Sequence, residues 1–170
     1  MNNVIRKLVC GLTLCLITFL GLATPLPENL ISPIMLKLLS LEARLANKPQ
    51  VAIYVMSNEA VINSLKMGID ITASTRPIYT LDSGDTLPNV KPDVIYFSYT
   101  NKNQLAAVRA YCQKHNVLLI GDEPNQIANG FAIVLHNDEG LPGIVLNISQ
   151  SKTLGLKWHP DVLNVVSIYE

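Results

Sequence analysis

Three histidines, four of the thirteen acidic residues and one of the three cysteines, Cys112, are the side chains in this sequence whose types could do chemistry. His115, His136 and His159 lie far apart, and none has a cysteine or carboxylate at metal-ligand spacing. Zinc sites generally show at least one close pair of ligands, so these histidines read as surface or helix-end residues. Asp82, Asp85, Asp122 and Glu123 could line an acidic pocket at the carboxyl edge of a sheet, where open α/β folds bind their ligands. Acidic residues after strands are also ordinary turn formers and helix caps, and that is the reading favoured here. No G-x-S-x-G supplies an exposed nucleophile, and no G-x-G-x-x-G or G-x-x-x-x-G-K-[ST] cradles a phosphate. The residues therefore call for no catalytic group, no metal and no cofactor.

The N-terminus carries an address. Arg6 and Lys7 precede an apolar run from Leu8 to Leu20, and Gly21-Leu22-Ala23 places small residues where a signal peptidase reads. The run is short for a bilayer, which takes about 20 apolar residues, and Pro25 and Pro27 end it. Cleavage is expected after Ala23, giving a signal peptide over 1–23 and one domain over 24–170. The 170-residue chain then keeps 147 residues, enough for a single core. Arg6 and Lys7 leave with the signal, so the remaining 11 basic residues face 13 acidic ones, a formal charge of −2. A nucleic-acid partner would need a clustered basic face, and none is present. Cys10 and Cys15 leave too, and Cys112 alone cannot form an internal disulfide. It reads as a small buried residue on a helix, the other reading being an exposed thiol that pairs with a partner.

The elements that must position these residues alternate. Ile34, Leu38, Leu41 and Leu45 recur at helical spacing over 30–46, with Lys37, Glu42 and Arg44 on other faces. VAIYVM (51–56) is apolar enough for a strand covered on both faces. Ser57 is positioned to cap a helix with Val61, Ile62 and Leu65 inward, ending at Gly68. RPIYTL (76–81) and DVIYFSY (93–99) read as the second and third strands. A helix capped by Thr100 or Asn101 runs to His115, Asn116 leaves it left-handed, and VLLIGD (117–122) is the fourth strand. Strand-helix-strand units imply a parallel sheet with helices packed on it. The stretches 131–136 and 143–148, joined by a polar turn at Asn137 to Gly140, read as an antiparallel hairpin, and an amphipathic segment from Val162 to Ile168 follows. Asn129-Gly130 reads as a turn. Asn147 is a polar residue in an apolar strand, expected to hydrogen-bond a neighbouring loop's backbone. The expected fold is a single α/β domain, a mostly parallel sheet with flanking helices and a C-terminal hairpin.

The stretch from Gly121 to Val166 resembles the C-terminal half of the YfiR/HmsC-like family of periplasmic regulatory proteins. Gly130-Phe131 matches a glycine-apolar pair opening a strand, and Asn147-Ile148 matches an asparagine motif closing the next. Gly155-Leu156 matches a Gly-Leu pair, and Leu163 falls in a final leucine segment. These motif positions are structural in kind. The resemblance implies a periplasmic, non-catalytic regulator that binds the periplasmic sensor domain of a membrane-bound diguanylate cyclase, limiting cyclic-di-GMP and biofilm formation. Disulfide control, found in some relatives, does not carry over to a chain with Cys112 alone. The alternative is a small-molecule or transport-associated binding protein of the periplasm, for which a homodimer could supply the second wall of a cleft.

Overall fold

The computed structural model describes residues 26–72 and 77–170; the expected signal peptide and its cleavage position after Ala23 lie outside them. The chain opens with α1 (Glu28–Ser40) and a short α2 (Ala43–Ala46) instead of one helix over 30–46. The break has a local cause. Ser40 Oγ donates to the Lys37 carbonyl at 2.7 Å, while Glu42 adopts an extended conformation and its carboxylate accepts from Leu45 N at 2.8 Å. A side chain that competes for helical backbone groups ends the first helix, and a capping carboxylate starts the second.

Strand β1 (Gln50–Met56) follows, then α3 (Glu59–Thr72), β2 (Ile78–Gly84) and β3 (Val94–Phe97). Two sequence expectations change here. Asn58, not Ser57, caps α3, its Oδ1 accepting from Val61 N at 3.1 Å, while Ser57 stands at φ 52° and its hydroxyl donates to Asp85. Gly68 lies within α3 and does not end it. A Cβ at Gly68 would fall 2.3 Å from Ser32 Oγ and 3.0 Å from a Leu36 methyl carbon, so the glycine lets α1 and α3 approach closely. β2 extends past residue 81 through the polar Asp82 and Ser83 because every residue from Gln50 to Met56 has a partner along it.

A 3₁₀ turn over Tyr99–Gln104 precedes α4 (Leu105–His115), so this α-helix starts later than Thr100 or Asn101 would have it. Asn116 closes α4 at φ 52°, the left-handed exit that its type suits. Then come β4 (Leu118–Gly121), a 3₁₀ turn over Pro124–Asn129, β5 (Ile133–Asp138) and β6 (Leu141–Asn147). The hairpin is tighter than a four-residue turn. Asp138 pairs with Leu141, leaving only Glu139 and Gly140 in the loop, both at positive φ, with Asn137 Oδ1 accepting from Gly140 N at 2.7 Å. A short α5 (Ile148–Thr153) then follows, and the amphipathic segment expected from Val162 to Ile168 is instead the end of α6 (Pro160–Leu163) and the start of β7 (Ser167–Tyr169).

The seven strands form one sheet in the order β2-β1-β3-β4-β5-β6-β7. The first five are parallel; β6 runs antiparallel to β5, and β7 lies parallel to β6. Strand alternation sorts side chains to two cores. Val51, Ile53, Val55, Val94, Tyr96, Leu118 and Ile120 face α1 and α3, while Tyr54, Met56, Ile95, Phe97 and Leu119 pack on Val108 and Cys112 of α4. A sheet covered on both faces accounts for the nearly unbroken apolar runs of its central strands.

Candidate functional site

The carboxyl ends of the parallel strands collect most of the acidic residues singled out in the sequence. Strand order changes direction between β1 and β3, the place where open α/β sheets leave a crevice. Ser57 follows β1 and donates to Asp85 Oδ1 at 2.8 Å; Ser98 follows β3 and donates to Asp122 Oδ2 at 2.6 Å. The Tyr96 hydroxyl also reaches Asp122 Oδ2, at 3.4 Å. Asp82 stays on β2, where it accepts from its neighbour Ser83 N. Glu123 caps the 3₁₀ turn over Pro124–Asn129 reciprocally with Gln126. Asp85 follows β2 and Asp122 follows β4, three strand spacings of about 4.8 Å apart. The four carboxylates are therefore not gathered at one point. Among the described residues, no group of three His, Cys, Asp or Glu side chains could hold a metal ion.

Gln126 is the residue at this edge that sequence reasoning missed. It is buried, its Oε1 accepts from Asp122 N at 2.8 Å and from Glu123 N at 2.9 Å, and its Nε2 donates to the Phe97 carbonyl. It plugs the ends of β3 and β4 together. Gly121 makes room for it, because a Cβ there would meet Gln126 Oε1 at 2.1 Å. The signal was available in Glu123-x-x-Gln126, the spacing of a capping box.

The remaining groups that could react sit elsewhere. His115 ends α4 with its ring 4.5 Å from that of Tyr111. His136 lies on β5 opposite Gly143, whose missing side chain leaves space for the imidazole. His159 caps α6, Nδ1 accepting from Asp161 N. Cys112 is buried in the α4 core, and loss of solvation pushes its thiol up to about 12. Tyr96 is raised well above the ordinary phenol range, first by burial and then by the Asp122 carboxylate that it faces. Both groups are held neutral, so at neutral pH neither offers a nucleophilic anion.

The family-motif residues gather where β5, β6 and their flanking turns meet. Gly130 takes φ 85° at the end of the 3₁₀ turn, and Phe131 is fully buried against Phe97 with ring centroids 6.3 Å apart. Asn147 donates from Nδ2 to the Ile127 carbonyl at 3.2 Å, while its Oδ1 accepts from Gln150 N at 2.8 Å and so caps α5. Gly155 leaves α5 at φ 67°, Leu156 is buried behind it, and Leu163 at the end of α6 is 44% exposed. The arrangement joins the hairpin to the last helices and presents no polar cleft.

Exposed apolar surface lies at two other places. A groove of about 480 Å³ runs between α1 and α3, and a second of about 430 Å³ runs between α1 and the β6–α6 side. Beyond them the sheet ends at β7, three residues long and exposed throughout, with Val165, Ile168 and Tyr169 open to solvent. No helix among the described residues is long and apolar enough to cross a membrane.

No curated protein matches the chain. A conserved domain protein from Vibrio cholerae O1 biovar El Tor has the same fold, with a TM-score of 0.57 and 15% identity. It shares 85% of this chain and 60% of its own. The ABC domain from Streptococcus pneumoniae in complex with L-Trp aligns with a TM-score of 0.59 and 11% identity, over 84% of this chain and 60% of its own. This chain thus spans less than two thirds of either, and both likenesses concern the fold alone. The YfiR/HmsC-like family matches residues 35–167, from the middle of α1 to β7. With its motif residues Gly130, Asn147 and Gly155 all holding turns or caps of this fold, the chain belongs to the YfiR/HmsC-like family.

Proposed function

We propose that this protein is a periplasmic regulator that docks on the periplasmic part of a membrane-bound signalling protein, a diguanylate cyclase, and represses it. The observation that carries this reading is family membership over residues 35–167, in a family of periplasmic regulators of cyclic-di-GMP signalling. The signal peptide over 1–23 would deliver the domain over 24–170 to that compartment. The open edge of the sheet gives a docking surface a physical basis. β7 has β6 on one side only, so its outer backbone groups can pair with another chain, and Val165, Ile168 and Tyr169 supply apolar contact. Repression further requires that the protein prefer one conformation of its partner, since equal affinity for both would shift nothing.

The test is recovery of partners from envelope extracts with wild type and Ile168→Asp, together with cyclic-di-GMP in a deletion strain. A membrane cyclase recovered by wild type and lost with Ile168→Asp, with cyclic-di-GMP raised in the deletion strain, supports the proposal. Unchanged cyclic-di-GMP with no membrane sensor recovered rejects it, and recovery of only a second copy of this chain would assign the edge to a homodimer.

A further inference from the structure

The groove between α1 and α3 has the build of a small-molecule site, one that docking on a partner would not need. Two helical stripes face each other across it: Asn29, Ser32, Leu36 and Lys37 on α1, and Met67, Gly68 and Ile71 on α3. Residues three and four apart share a helix face, so Asn29, Ser32 and Leu36 follow one another on α1, as Met67 and Gly68 do with Ile71 on α3, and Lys37 stands beside the stripe. Gly68 opens the space between them. A volume of about 480 Å³ falls in the range of small-ligand pockets.

Two polar features mark what such a ligand would carry. Ser32 is 1% exposed, yet its Oγ has no hydrogen-bond partner although it lines the groove. Buried hydroxyls in folded proteins are otherwise almost always bonded, so this one is a donor in want of an acceptor. Five residues further along α1, Lys37 is exposed at the groove and makes no ion pair among the described residues. Asn29, Ser40 and Ser64 also line the groove, the Ser40 and Ser64 hydroxyls donating to the Lys37 and Glu28 carbonyls. Leu36, Met67 and Ile71 form the walls, Met67 and Ile71 being 67% and 84% exposed. The aromatic Tyr79 is buried, its hydroxyl donating to the Leu36 carbonyl, so it offers no free stacking face.

We propose that this groove binds a medium-chain fatty carboxylate, its acyl chain over Leu36, Met67 and Ile71 and its carboxylate taking the Ser32 hydroxyl with Lys37 as countercharge. Flexible aliphatic walls suit an alkyl chain better than a ring. A cation at the rim and an unpaired donor within select an anionic acceptor over an amine. The proposal stands or falls separately from docking on a membrane sensor.

The probe is dodecanoate, kept below its micelle range and titrated calorimetrically into the full chain expressed with its own N-terminus. Dodecylamine serves as the charge-reversed control. Dodecanoate is expected to bind with one-to-one stoichiometry and dodecylamine at least about tenfold more weakly. Lys37→Glu and Ile71→Asp both alter exposed side chains and should fold normally; each is expected to weaken dodecanoate binding about tenfold. Ser32→Ala should weaken it as well, while Val90→Asp, exposed and lining neither groove, should leave it unchanged. Absence of saturable binding overturns the proposal. So does equal affinity for dodecylamine, which would remove carboxylate recognition, or unchanged binding by Ile71→Asp, which would place the ligand elsewhere.

Discussion

Cys112 lies on the inner side of α4 with Val108, against Tyr54, Ile95 and Leu119 from the sheet. Its thiol is buried and raised from an ordinary value of 9.0 to about 12 by loss of solvation. In the unfolded chain it ionises above about pH 9, whereas in the fold it stays protonated until about 12. Between those values the unfolded state binds fewer protons, so stability falls as pH rises, at up to about 1.4 kcal/mol per pH unit from this group. Below about 9 both states are protonated and the group confers no pH dependence. Urea midpoints measured from pH 8 to 10.5 should therefore fall more steeply for wild type than for Cys112→Ala. Parallel slopes would mean that the thiol is solvated in the fold. A burial of this kind is legible in sequence, since Val108 and Cys112 are one helical turn apart on a stripe. Asn147 was legible for a related reason: an amide in an apolar strand must find partners, and it bonds Ile127 and Gln150. Ser98 and Gln126 were harder to find, because their roles depend on Asp122 and Phe97, which other elements bring to them.

Gly68 shows why the type of an element is easier to read than its end. A glycine after an amphipathic stretch is the ordinary sign of a helix terminus, yet here α3 continues to Thr72. The reason lies across the interface, where Ser32 and Leu36 of α1 come within contact of the space a side chain would occupy. Gly68→Ala should gain about 1 kcal/mol of helix propensity and lose more than that to crowding, a net cost of roughly 1 kcal/mol. In a Ser32→Ala background the nearest atom becomes a Leu36 methyl carbon at 3.0 Å, the end of a side chain that can yield, with the residue 32 Cβ at 3.6 Å. Most of the cost should then return, a coupling that a double-mutant cycle by urea denaturation would read. Additive effects would show that Ser32 is not what the glycine accommodates. The same logic explains the other shifted ends. β2 runs into polar residues because β1 pairs with it throughout, and Ser57 leaves β1 at positive φ to reach Asp85. The parallel core and the hairpin could be read from apolar runs and turn residues. The edge strand β7 could not, since three exposed residues carry no pattern of their own.

At the scale of the whole molecule, the central question is what ties the first two described helices to the C-terminal segment around a sheet that grows outward from β1. The sheet itself does not do so, since β2 and β7 stand at opposite edges. Glu42 does. It was expected on a solvent face of a continuous helix, but it is fully buried. One carboxylate oxygen caps α2 through Leu45 N, and the other accepts from Lys157 N at 2.8 Å, 115 residues further on. Backbone bonds from Ala43 N to the Lys157 carbonyl and from His159 N to the Leu41 carbonyl flank it, forming a small bridge between Glu42 and Trp158. Arg44 adds a bond to the Leu154 carbonyl. Through these contacts the segment that leads into α6 and the β7 edge is held against α1 and α2. Glu42→Ala removes both acceptors and leaves two N–H groups without partners, at an expected cost of about 2–4 kcal/mol. Glu42→Gln keeps one carbonyl acceptor and sets an amide donor against the other N–H, so it should cost less than alanine but more than zero. Urea denaturation ranks the three proteins, and hydrogen exchange locates the effect. In Glu42→Ala the amide of Lys157 should lose protection by more than the global change in stability, while those of β3 and β4 should follow the global change alone. Uniform loss across the molecule would mean that Glu42 supports the core as a whole, and the β7 edge would then owe its position to β6 and not to the clamp.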